Sequence, residues 1–248
     1  MLALLAEDFD LWLCDVQGHG DSDHGGRFHG WNRSAELAVE AFEALRGPFG
    51  EVPRFALGHS FGGVLTSLIL ARHPELFRRA VLLDPVLFSP AMIGVMALSD
   101  VVGLAQRTGM AKKAHKRRRQ WIDRASAHAA LHGRGMFRGW DEVAFDAYIE
   151  HALKDVEGGV ELKCRPNREA DIFGSFPRRL WPSLAKVTTP TEVIHGSRTY
   201  PFVAKSVARW CASNAHVRSQ VVPGGHCFMQ EQPADSAERV AAFLLQRG

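Results

Sequence analysis

The sequence predicts an α/β fold, a mostly parallel sheet flanked by helices, and three observations predict it. Short apolar runs alternate with helical patterns along the chain, the signature of parallel βαβ units. The runs are largely continuous, as strands buried on both faces require. The chain has 248 residues, 46% of them hydrophobic, enough to bury one substantial core and carry an insertion.

Leu11–Val16 reads as the first strand. Ser34–Leu45 reads as a helix, with Ser34 as N-cap and Ala38, Phe42 and Leu45 on one face. Arg54–Leu57 is a second strand, and the helix Gly62–His73 follows it and stops ahead of Pro74. Ala80–Leu83, Thr191–Ile194 and Ser219–Val222 read as three further strands, and Ala234–Gln246 as a closing amphipathic helix. Residues 88–185 break this rhythm. They carry helical patterns, a basic run and Trp121, Trp140 and Trp181, but no clear strand of the buried kind. The expected division is a core of 1–87 and 186–248, with 88–185 as a helical cap over the C-terminal edge of the sheet.

A formal net charge of +3 is too weak to imply nucleic acid. Cys14, Cys164, Cys211 and Cys227 form no C-x-x-C pair, which leaves a zinc ribbon or redox motif unsupported. Isolated cysteines fit a reducing compartment. No apolar run approaches the roughly 18 residues of a membrane span, and Met1–Ala6 lacks the basic flank of a signal peptide. Cytoplasm is therefore the expected location. His19, His24 and His29 lie five apart, a spacing that shares no helix face and makes no metal motif. They read as loop residues, with His19 near the mouth of a site. Lys112–Arg119 is the strongest charge run. It reads as a solvated helix face, with attraction of an anionic substrate such as an acyl-CoA as the alternative. No aromatic interleaving of a nucleic-acid groove accompanies it. Leu87, Phe88, Met92, Trp140, Phe173 and Trp181 are candidates to line an acyl pocket, and equally ordinary core.

The chemistry centres on Gly58-His-Ser-Phe-Gly62, which follows an apolar strand and opens an apolar helix. That is the context a G-x-S-x-G nucleophile elbow needs. Small residues two before and two after Ser60 let the backbone pass closely. The helix N-terminus directs its dipole at the site, and the Phe61 N–H is placed to bind a developing oxyanion. A serine hydroxyl needs a nearby proton acceptor. His226, behind Gly224-Gly225 after the last strand, is the candidate base. His59 flanks the serine and reads as a packing or polar-shell residue facing away from the nucleophile's partner.

With these landmarks the chain resembles the α/β-hydrolase superfamily along most of its length. Asp15-Val-Gln-Gly-His-Gly-Asp-Ser22 resembles the family's D-x-x-G-x-G-x-S loop, Gly58–Gly63 its elbow, and Val81–Pro85 the next strand end. Pro190–Gly196 resembles the strand before the acid, and Gly224–Phe228 the histidine loop. The resemblance implies the order nucleophile, acid, histidine, a variable cap and no cofactor. Its acid position is occupied by Thr199, in Gly196-Ser-Arg-Thr199, which cannot carry a negative charge. Some members place the acid after the strand that follows the nucleophile helix, and Asp84 stands there. Asp84 is the choice on this ground, and Asp15, a structural position in the family, is its rival. Relatives also begin with strands before the Asp15 loop. One of them ends in His-Gly, supplies a second oxyanion donor and lies between the strands at 11–16 and 54–57. The expectation is that the sequence is N-terminally truncated.

The function expected is a serine hydrolase cleaving a small carboxylic ester or related acyl substrate, with Ser60, His226 and Asp84 as its catalytic residues and Phe61 as oxyanion donor. The rival is a non-catalytic binding protein that keeps the pocket as a receptor. A serine at position 60 speaks against dehalogenase or epoxide hydrolase chemistry, where relatives use aspartate.

Overall fold

The computed structural model describes residues 1–101 and 109–246. Its helices and strands run α1 (Leu2–Leu5), α2 (Trp31–Leu45), β1 (Phe55–His59), α3 (Ser60–Arg72), β2 (Arg79–Leu83), α4 (Pro90–Val101) and α5 (Gly109–His115). They continue with β3 (Gln120–Trp121), α6 (Arg124–Leu131), α7 (Glu142–His151), β4 (Leu153–Val156), β5 (Gly159–Leu162), α8 (Pro166–Phe173) and α9 (Leu180–Leu184). The chain closes with β6 (Thr191–Gly196), α10 (Pro201–Ser213), β7 (Val217–Val222), α11 (Phe228–Glu231) and α12 (Pro233–Leu244). Two compact units form: Met1–Trp12 with Asn32–Met92 and Pro177–Gly248, and Leu13–Trp31 with Ile93–Phe176.

The first unit is an α/β layer built on the parallel sheet β1-β2-β6-β7. Burial follows position in the sheet. The central strands β2 and β6 are buried almost throughout, as their continuous apolar runs require, whereas β7 at an edge exposes Arg218, Ser219 and Val221. Trp210 on α10 is fully buried and its indole N–H donates to the Leu184 carbonyl at 3.0 Å. Asn214 donates to the carbonyls of Leu184 and Val187 and so holds the turn after α9 against the end of α10.

Two expectations change here. Leu11–Val16 is not a strand. A strand exists only as a paired state, and this segment joins no ladder among the described residues, so its apolar character does not suffice. The helix expected from Ser34 starts at Trp31, because the break in the chain falls at Gly30 (φ 87°), and Ser34 is buried within the helix.

The second unit is not wholly helical. It holds an antiparallel sheet of order β3-β5-β4. Val156 pairs with Gly159 across Glu157-Gly158, and Gly158 takes φ 81°. Around this sheet Trp121, Phe137, Phe145, Ile149, Leu153 and Leu162 form a core, with Trp140 and Tyr148 packed against it. Phe173 packs against Ala111, Ala114 and Ala170. Trp140 and Phe173 thus serve the core of this unit. The basic run is only partly a solvated face. Lys112 and Lys113 are exposed, but Arg117 holds Glu169 at 2.7 Å and Arg119 holds the buried Glu161 at 2.6 Å.

Within the same unit the loop 17–29 is organised by two side chains. Gln17 donates to the carbonyls of His24, Gly25 and Arg27 and accepts from the His29 N–H. Arg168, fully buried, donates to the carbonyls of His24 (2.6 Å) and Gly26 (2.8 Å) and lies over the Phe28 ring. His19, His24 and His29 are loop residues, as the sequence indicates.

Candidate active site

The site is assembled at the C-terminal ends of adjacent parallel strands, where open α/β sheets bind their ligands. β1 runs directly into α3, and Ser60 at the junction is held at φ 52°. A β-carbon on Gly58 would lie 2.5 Å from Thr66 Oγ1 and 2.6 Å from the Gly62 carbonyl oxygen. One on Gly63 would meet Pro85 at 3.0 Å, whereas Gly62 has open space. The close packing expected from Gly58 and Gly62 therefore comes from Gly58 and Gly63. Phe61 is the second residue of α3, so its N–H lies in the first helical turn.

Register places the next residue. His59 pairs with Leu83, so the chain leaves β1 at Ser60 beside the point where it leaves β2 at Asp84. Asp84 is fully buried at φ 45°, and its N–H extends the ladder to the Ile194 carbonyl at 2.7 Å. Its Oδ2 accepts the Gly196 N–H at 3.0 Å, and its Oδ1 accepts the Thr199 hydroxyl at 2.5 Å. His226 follows β7. Its Nδ1 lies 2.8 Å from Asp84 Oδ1 and its Nε2 lies 2.8 Å from Ser60 Oγ. An unbroken relay of serine, imidazole and buried carboxylate results.

The histidine loop is fixed from several sides. The Gly225 N–H donates to Glu231 Oε1, and Glu231 pairs with Arg198 at 2.9 Å. A side chain on Gly196 would strike the Gly225 carbonyl at 2.3 Å, so only glycine lets β6 end this close to the loop. His59 is better placed than the sequence suggests. Its Nε2 is 3.0 Å from the His226 carbonyl oxygen, and the two rings lie 4.9 Å apart, tilted at 41°. Burial and the neighbouring His226 push its pKa down to about 4, so near neutral pH it is an uncharged donor to that carbonyl. Burial, with Asp84 and Glu231 nearby, pushes the Cys227 thiol up to about 12, which makes it a poor rival nucleophile. Tyr200 packs on the His226 ring at 5.2 Å and stacks on Phe202, which stacks on Phe88. Of the apolar candidates in this unit, Leu87 is fully buried, while Phe88 ends this aromatic row and its carbonyl accepts the Trp181 indole N–H.

The model of the alpha/beta hydrolase family matches residues 1–239. The chain belongs to the α/β hydrolase family. A curated relative, the abhydrolase domain-containing protein ACTT2-1 of Alternaria alternata, is 31% identical, with 77% of this chain and 83% of that protein covered. Among solved structures, E-2-(acetamidomethylene)succinate hydrolase matches with a TM-score of 0.74 at 21% identity, over 92% of this chain and 79% of that one. The Mycobacterium tuberculosis esterase Rv0045c matches with a TM-score of 0.66 at 20% identity, over 93% of this chain and 74% of that one. Both likenesses are of fold.

Within this α/β hydrolase the sequence-derived trio of Ser60, His226 and Asp84 stands together. The rival Asp15 lies in the second unit, where its carboxylate accepts the Asp21 N–H at 3.0 Å inside its own loop. Sequence reasoning missed Thr199 as a donor. The signal was its position: a side chain at the family's acid position faces the histidine, so a hydroxyl there meets whichever carboxylate serves. Among the described residues no helix is long and apolar enough to cross a membrane.

Proposed function

We propose that this α/β hydrolase is a serine hydrolase that cleaves a carboxylic ester or related acyl substrate through an acyl-enzyme. The observation that carries the reading is the relay of two 2.8 Å contacts from Ser60 Oγ through His226 to Asp84 Oδ1. His226 Nε2 takes the hydroxyl proton as Ser60 Oγ attacks the carbonyl carbon. The Phe61 N–H, at the positive end of α3, faces the oxyanion of the tetrahedral intermediate. The imidazolium, stabilised by Asp84, then protonates the departing alkoxide. Water then attacks the acyl carbon as His226 takes its proton, and the imidazolium returns that proton to Ser60 Oγ as the Ser60–acyl bond breaks and the acid leaves. Asp84 holds the Nδ1–H tautomer that leaves Nε2 free to accept. The substrate is a small acyl compound rather than a nucleic acid. The location that isolated cysteines fit is a reducing one, the cytoplasm.

Intact mass after exposure to a fluorophosphonate tests the reading, with Ser60→Ala as control and circular dichroism as a check on folding. A single adduct, absent from S60A, together with p-nitrophenyl ester turnover lost in S60A, is expected. A folded chain that takes no adduct would overturn the proposal in favour of a binding role.

A further inference from the structure

The Thr199 hydroxyl and the His226 imidazole converge on the same oxygen of Asp84. Thr199 donates to Oδ1 at 2.5 Å, and His226 Nδ1 lies 2.8 Å from that oxygen. The turn after β6 makes this possible. The Thr199 N–H bonds back to the Gly196 carbonyl at 3.1 Å, while the Ser197 and Arg198 N–H groups donate to the Val222 and Gly224 carbonyls. The turn is thereby fastened to β7, with the Gly196 N–H and the Thr199 hydroxyl aimed at one carboxylate from one side. Asp84 itself comes from a different strand, is fully buried and takes a left-handed backbone conformation. Among the described residues, these are the two donors to its carboxylate from the β6 side.

We propose that Thr199 is a positioning residue for the acid: its hydroxyl locks the Asp84 carboxylate in the plane that meets His226 Nδ1 and draws charge away from the oxygen the imidazolium shares. The inference rests on the serine-hydrolase reading and deepens it. The β6 turn, in this chain, supplies donors to a carboxylate held on β2. Charge-assisted hydrogen bonds of this kind are strong and geometrically specific. Removing the hydroxyl frees the carboxylate to rotate and concentrates negative charge on the oxygen facing His226. The first effect slows turnover. The second holds the proton on the imidazole to higher pH.

Few other groups face this pair. Besides Ser60, His226 meets the rings of His59 and Tyr200, and Cys227 adjoins it. Glu231 supports the same loop and is paired with Arg198. His59, pushed down to about 4, stays neutral across an assay from pH 5.5 upward, roughly. The Cys227 thiol is pushed up to about 12, and burial raises the Tyr200 phenol. None of these three neighbours changes charge across that range, so a shift of the profile between variants is not theirs.

The test is the pH profile of kcat/KM for p-nitrophenyl butyrate with the full chain, comparing wild type, Thr199→Val, Thr199→Ser and Asp84→Asn. T199V is expected to lose about tenfold in kcat with KM within about twofold, as loss of one hydrogen bond to a charged group implies. Its acid limb moves to higher pH, and T199S restores both rate and limb. If T199V does not fold by circular dichroism, Thr199→Ala makes the same comparison. A T199V profile superimposable on wild type, with D84N inactive, would overturn this inference alone. So would a T199S variant as impaired and as shifted as T199V. D84N at the wild-type rate would instead overturn the acid assignment beneath it.

Discussion

Replacing Asp84 by asparagine is the sharpest perturbation of the site, because the structure leaves the amide no good orientation. Oδ1 of Asp84 accepts from Thr199 and faces His226 Nδ1, and Oδ2 accepts from the Gly196 N–H. An asparagine has one acceptor oxygen and one NH2 group. With the NH2 at the Oδ2 position, two donors face each other at Gly196 within a buried site. With the NH2 at the Oδ1 position, it donates to Nδ1, forces the imidazole proton onto Nε2 and removes the acceptor that Ser60 needs. Either way the imidazolium formed on attack has lost its counter-charge. The expected loss is about 10³–10⁴-fold in kcat, or about 4–5 kcal/mol of barrier at about 1.4 kcal/mol per factor of ten. Initial rates on p-nitrophenyl butyrate, with circular dichroism and a thermal melt to verify folding, give the measurement. Asp15→Asn in parallel should stay within about threefold, since that carboxylate is exposed and serves its own loop. A folded D84N enzyme within tenfold of wild type would refute the argument.

Further expectations concern stability. His59 has its pKa lowered in the fold from 6.5 to about 4, so between these values the unfolded chain binds the extra proton. Its contribution is complete above pH 6.5 and is lost as pH falls toward 4; from pH 7 to 4.5 this amounts to about 2 kcal/mol. Urea midpoints at the two pH values should show a correspondingly smaller loss in His59→Gln, and an equal loss would contradict the assignment. Arg168→Met removes a fully buried side chain that donates to the Gly26 carbonyl and shares the His24 carbonyl with Gln17, and should destabilise the second unit by about 3 kcal/mol, read by denaturant unfolding and by amide exchange across 17–29. A change below about 1 kcal/mol would mean that loop is held by Gln17 instead.

How much of this was legible beforehand depended on whether the information was local. β2 and β6 could be read because strands buried on both faces are written as apolar runs. Leu11–Val16 carries a similar run and forms no strand, because a run records what a segment can bury and not whether a partner lies beside it. The β4–β5 hairpin was missed for the opposite reason. Leu153-Lys-Asp-Val and Gly159-Val-Glu-Leu are short and half polar, and Glu157-Gly158 was the one turn signal. Ser60 and His226 were marked by their own glycine-flanked motifs. Asp84 had no motif of its own, and the β1–β2 register is what sets it beside the serine. The bonds of Thr199 and His59 join elements more than a hundred residues apart and leave no local trace.

The backbone carries a further sign that Ser60 and Asp84 form one device. The described residues include three non-glycine positions at positive φ, and two of them are Ser60 (52°) and Asp84 (45°). Each such conformation costs on the order of 1–3 kcal/mol and persists only where the surroundings over-determine it. Here they end neighbouring strands in matching register, and the Ser60 carbonyl accepts the Val86 N–H just beyond Asp84. The Asp84 N–H is tied to Ile194 and its carboxylate to Gly196 and Thr199. Straightening either residue would withdraw one end of the relay from His226. In the proposed mechanism an acid following β2 thus lies beside the end of β1 that carries Ser60, and a threonine in the β6 turn suffices there, since it has only to hold that acid in place.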